Sequence, residues 1–187
     1  MKNLLLVVCS LVLTCCFQSL QAQVAKPGAI DISVGVGLLP TFNKDDGDVK
    51  LLPLTIGADY QFSQHFSLGL LYGHSITEAE EVFLDADPVK WSNSFSTVGL
   101  RVIVNGGKWE KWDVYGGFSL NYNSSVITIL EGNNPSVIET VGLESETTFS
   151  YTGFIGANYA IDKKWAVFGE LGYSVSIASV GVKYQIK

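Results

Sequence analysis

Beyond residue 16 this sequence has no cysteine: Cys9, Cys15 and Cys16 are its only three. They lie in a segment with the anatomy of a secretory signal. Met1, Lys2 and Asn3 form a short basic start, residues 4–17 are an apolar run broken only by Ser10 and Thr14, and residues 18–22 end on the small Ala22 before a cut that leaves Gln23 first. The run is too short for a membrane-spanning helix, which needs ~20 apolar residues. Thr14 is bulkier than the residue that normally precedes a lipid-modified cysteine, which disfavours that alternative at Cys15 or Cys16. Removing residues 1–22 leaves residues 23–187 as one exported domain by length, without disulfides and without thiol or cysteine–metal chemistry.

Basic residues are scarce too. The mature chain keeps 11 Lys and Arg against 18 Asp and Glu, a net charge of −7, which argues against a nucleic-acid partner. A third absence is any mature apolar run long enough for a helical span, although mean hydropathy is positive at +0.26. The apolar content is spread over alternating positions instead, as in a barrel embedded in lipid.

That alternation has period two. Ile30, Ile32, Val34, Val36 and Leu38 are interleaved with Asp31, Ser33, Gly35 and Gly37, and in a strand the two sets point to opposite faces. The pattern recurs over 52–62, 66–73, 97–104, 112–122, 151–161, 165–173 and 178–186. Most of these segments approach the ~9–11 residues with which a tilted strand crosses a membrane. The reading is all-β: an eight-stranded antiparallel up-and-down transmembrane barrel.

The second face carries many glycines together with Asp31, Asp59, Arg101, Asp113, Glu170 and Lys183. Charges are not left unpaired in an apolar interior, but an eight-stranded barrel is just narrow enough for paired side chains to fill it. These six are therefore expected to point inward as a charge network, with the aliphatic face outward. Tyr60, Phe62, Phe66, Trp109, Trp112, Tyr159, Trp165 and Tyr184 fall at strand ends beside short turns. Tyr72, Phe95, Tyr122, Phe149, Tyr151 and Tyr173 fall near the opposite ends, and two such belts match the aromatic girdles of membrane barrels. Connections at 63–65, 105–111 and 162–164 are short, and those at 39–50, 76–91 and 126–145 are long, as expected of periplasmic turns and external loops. The last connection, 174–177, is short where a long one is due. The long loops are acidic and the short turns carry Lys108, Lys111, Lys163 and Lys164.

Residues 165–173 (Trp-Ala-Val-Phe-Gly-Glu-Leu-Gly-Tyr) and 180–186 (Val-Gly-Val-Lys-Tyr-Gln-Ile) resemble the outer membrane protein β-barrel domain family, nearest its small, porin-like members from Bacteroidetes. The resemblance covers nearly the whole mature chain. It implies an eight-stranded barrel of the cell envelope, in the outer membrane, and most members have no assigned activity.

Several groups could carry chemistry. His74 and Ser75 lie near the outer end of the third strand with Glu78 and Glu80 nearby, but adjacent strand residues point to opposite faces, so this serine and histidine should not meet. His65 reads as a turn residue. Residues 43–48 hold oxygen ligands and Gly47, yet their spacing departs from the helix–loop–helix calcium pattern and Lys44 opposes it. Residues 126–130 and 137–141 flank Gly132-Asn133-Asn134-Pro135, which suggests a hairpin above the membrane whose edge could recruit a protein partner.

The expectation is a monomeric structural or interaction barrel, with outer-membrane lipid and lipopolysaccharide around it, no cofactor, no metal and no catalysis. Its role would be adhesion or envelope integrity. Two alternatives remain open. A lipid-modifying barrel enzyme would need Ser, His and an acid at the outer rim, and a soluble exported barrel binding an apolar ligand would need the aliphatic face inside. A solute channel is disfavoured because side chains should block so narrow a barrel.

Overall fold

The computed structural model describes residues 27–41, 48–83, 86–132 and 145–186. The signal segment at 1–22, residues 43–47 of the acidic loop and the arm at 137–141 lie outside the described residues. Eight strands follow in chain order: β1 (Ile30–Gly37), β2 (Asp48–Gln61), β3 (Phe66–Phe83), β4 (Ala86–Trp109), β5 (Trp112–Glu131), β6 (Glu146–Ala160), β7 (Trp165–Gly172) and β8 (Ala178–Gln185). Each pairs antiparallel with the next, and β8 returns to β1, so the barrel is closed. Closure removes the unpaired backbone edges that an open sheet would present to lipid.

The aliphatic stripe faces outward. Val34 is 51% exposed, Leu54 44%, Val102 46% and Val182 44%, whereas Arg101 is only 6% exposed. This arrangement removes the soluble alternative, in which the aliphatic face would line a ligand cavity. The interior is not uniformly polar, because Ile103, Tyr115 and Phe154 form a buried cluster beside the charges.

The wall is uneven in height. β4 has 24 residues and β5 has 20, against eight each in β1, β7 and β8. Of the expected loop at 76–91, residues 76–83 and 86–91 are instead strand: β3 and β4 stay in register from Phe66↔Val104 to Glu81↔Val89. Of the expected hairpin, 126–130 is strand and 137–141 lies outside the described residues. The first arm extends β5 and pairs with β4, from Ser94↔Val126 to Lys90↔Glu131. On the other side, among the described residues, β5 joins β6 as far as Ser125↔Glu146. Along β2, the ladder to β3 shifts between Leu51 and Leu54, where Pro53 supplies no backbone donor.

The short 174–177 connection turns into the lumen. Thr41 N donates to Val175 O and Ile177 N to Leu39 O, at 3.2 and 2.9 Å, while Ser176 Oγ lies 2.7 Å from the carbonyls of Leu39 and Ala178. These bonds tie the segment to the residues after β1. They drive Val175, 1% exposed, across the barrel toward Gly73 and Thr97.

Candidate functional site

Two places concentrate chemistry: the waist of the lumen and the outer face where polarity changes. At the waist, Arg101 Nη2 donates to Glu170 Oε2 at 2.6 Å, and the same oxygen accepts from Tyr115 Oη at 3.0 Å. The Arg101 guanidinium lies 4.0 Å above the centre of the Phe154 ring, which covers one of its flat faces. Beside this pair Lys183 Nζ approaches Asp59 Oδ2 at 3.5 Å and stands 5.0 Å from the Tyr115 ring. All four charged side chains are at most 15% exposed. Two cations face two anions, so their fields cancel within a low-dielectric space, as their burial requires.

The remaining members of the expected set also turn inward. Asp31 accepts from Gln185 Nε2 at 3.1 Å, and Asp113 from Asn158 Nδ2 at 3.4 Å. Asp59 fits because its neighbour across the ladder is Gly69, where any Cβ would collide with the carboxylate. With Val175 above, these groups leave a cavity of about 30 Å³. That is room for one or two waters; Arg101 lines it, and its buried Nε has no hydrogen-bond partner among the described residues.

The eight aromatics expected at the short-turn end all lie on the outward face. Tyr60, Phe62, Phe66, Trp109, Trp112 and Trp165 are exposed. Tyr159 and Tyr184 are half-covered, because Trp112 packs on Tyr159 at 5.0 Å and Trp165 on Tyr184 at 4.8 Å between ring centres. Lys111 and Lys164, from the adjoining turns, reach over those two tyrosine rings. At the other end Tyr72, Tyr122, Phe149, Tyr151 and Tyr173 face outward as expected. Phe95 does not: it is 3% exposed and points into the barrel, since it shares the inward parity of Thr97, Gly99 and Arg101.

On the outer face the change of polarity follows the register. Tyr72, Val98, Tyr122 and Phe149 occupy one row across β3 to β6, and the next row toward the long loops is His74, Ser96, Ser124 and Thr147. Within it His74 Nδ1 and Ser96 Oγ share a hydrogen bond of 2.9 Å. His74 and Ser75 diverge, as alternation requires. The pairing of His74 with Ser96 lies beyond the apolar alternation, which covers 66–73 and 97–104, and follows from extending the antiparallel ladder. Glu78, the nearest outward acid on the strand, lies 3.4 Å from Lys50 Nζ. The site therefore has a hydroxyl and an imidazole in contact, with its neighbouring carboxylate engaged elsewhere.

No curated protein matches the chain. Among solved structures, it is similar to the outer membrane protein OprG from Pseudomonas aeruginosa, at 14% identity and TM-score 0.58 over 90% of this chain and 99% of that one. Neisserial surface protein A aligns at 12% identity and TM-score 0.52, covering 85% and 97%. A chain from the de novo design of transmembrane β-barrels aligns at 18% and 0.50, covering 88% and 100%. At such identities the likeness concerns the fold alone. The family model described as "Outer membrane protein beta-barrel domain" matches residues 8–185, and the chain belongs to that family of outer-membrane barrels.

Proposed function

We propose that this protein is a non-catalytic, monomeric barrel of the outer membrane, exported with removal of residues 1–22, that supports envelope integrity and holds an interaction surface above the bilayer. The observation that carries this reading is the contrast between a filled waist and a tall outer wall. Arg101, Glu170, Asp59, Lys183, Tyr115 and Val175 leave about 30 Å³ at the waist, too little for a solute path. In this reading the inward charges are a structural closure, and the aromatics at the short turns anchor the barrel in lipid. β4, at 24 residues, is about twice what a tilted strand needs to cross a membrane. The surplus in β3, β4 and β5 is a rigid platform for a protein partner or an adhesive contact. The acidic loops add a surface that divalent cations could bridge to lipopolysaccharide phosphates.

The test shortens the platform without touching the barrel. Removing residues 79–91 and joining Glu78 to Ser92 through an Asn-Gly turn keeps the paired register. Cells carrying this form should keep the folded barrel in the outer membrane but lose binding to protein-coated surfaces. Unchanged binding, together with stepwise conductance of the intact protein in planar bilayers, would overturn the reading in favour of a channel.

A further inference from the structure

On the outward face, β1 to β4 enclose an apolar depression of about 330 Å³ lined by Ile32, Ile56, Ala58, Leu70, Tyr72 and Val98, with no polar surface in its lining. Its cause is local. Ala58 is flanked across the ladders by Ile32 and Leu70, so a small side chain sits between two large ones. The volume lies at the lower end of the range for small-molecule sites, ~300–1,000 Å³.

One end of the depression is formed by Tyr72 and Val98, which face each other across β3 and β4. The next outward pair is His74 and Ser96, hydrogen-bonded at 2.9 Å. The apolar groove thus runs directly up to a polar mouth. From the Ala58–Leu70 row to the His74–Ser96 row is four residues of β3, about 14 Å at strand rise. With strands tilted ~35–45° this is about 10 Å along the membrane normal, within one leaflet of a ~30 Å hydrocarbon core. An apolar depression over the Ala58 and Tyr72 rows, with a donor–acceptor pair in the row just beyond its edge, has the polarity of an anchored acyl chain. The pair lies toward the long-loop end, which in barrels of this type faces outside.

We infer that this face is a docking site for one acyl chain of lipid A, the acylated glycolipid of the outer leaflet. The chain lies over Ala58, and its ester or amide linkage meets His74 and Ser96. The inference rests on the outer-membrane reading above. The linkage carbonyl accepts a hydrogen bond from the imidazole or hydroxyl, and no bond is broken.

The test is native mass spectrometry of the barrel released from micelles containing equal amounts of lipid A and phosphatidylethanolamine. The intact protein should retain one lipid A. Ala58→Trp, which fills the groove from the outside, and His74→Ala should each lower retention at least tenfold, and His74→Gln should restore part of it. Heat-dependent migration in detergent gels checks that each variant is folded. Equal retention of both lipids, or retention unchanged in both variants, would overturn the docking site. Deacylated lipid A produced by the intact protein but not by Ser96→Ala would instead overturn the non-catalytic reading and leave the docking site standing.

Discussion

Arg101 on β4 and Glu170 on β7, 69 residues apart in the chain, meet at 2.6 Å inside the barrel. The bond crosses the lumen and ties two walls that no ladder joins directly. Removing one partner strands the other as a buried charge, which typically costs 3–5 kcal/mol. Arg101→Ala should therefore lower the stability of the micelle-embedded barrel by about 3 kcal/mol or more, read from the urea midpoint at constant slope. Replacing both residues by Met should be much milder. Equal losses for the single and double replacements would show that the pair is not what closes the waist.

Val175 and Gly73 are coupled by space. A Cβ on Gly73 would lie 2.9 Å from Val175 Cγ1, tighter than packed atoms tolerate. Gly73→Val should cost about 1–3 kcal/mol through overpacking, and adding Val175→Ala should recover much of that loss. A double-mutant cycle with no coupling would mean that the 174–177 segment does not seat against β3.

The outward face makes a depth-dependent prediction. Val102 lies in the middle of the aliphatic band and Trp109 at the short-turn end, and both are exposed. Val102→Arg should cost about 2–4 kcal/mol and Trp109→Arg about 0–1 kcal/mol when the barrel refolds into lipid vesicles. Equal costs would contradict a bilayer centred on Val102.

Asp162 gives a pH dependence. Its Oδ1 accepts from Lys164 N at 2.7 Å and Trp165 N at 2.8 Å, and these backbone bonds hold its carboxyl below the ordinary value of 3.8. A depressed carboxyl contributes stability that is present above the unfolded-state value and lost as pH falls through the folded one. Asp162→Ala should therefore weaken the β6–β7 turn at neutral pH and make no difference once the acid is protonated in both states. Unfolding midpoints of the two proteins should converge as pH drops below about 3.8; parallel curves would exclude the turn as the origin.

How much of this was legible in the chain varies by region. Within the bilayer, alternation and polarity agree, and every strand read there exists. Above it they part company. Along β4 the outward positions change from Val98, Leu100 and Val102 to Ser92, Ser94 and Ser96, while inward positions change from Arg101 and Gly99 to Phe95 and Trp91. From Trp91 to Val104 the parity of the strand does not slip. Only its polarity inverts, because the outer face there meets water instead of acyl chains. Reading an apolar stripe as the mark of a strand therefore ended β3 and β4 too early, misplaced Phe95 in the outer belt, and concealed the pairing of His74 with Ser96.

Period two by itself determined where the strands lie within the bilayer and that Arg101 and Glu170 share the face opposite the aliphatic stripe, because a side chain's face depends only on its place in its own strand. Which inward charges touch, how Val175 closes the lumen, and which row carries His74 opposite Ser96 depend on stagger between strands and on the path of the chain after β7. Those are relations between distant segments, set by ladder register and packing, and only the tertiary structure decided them.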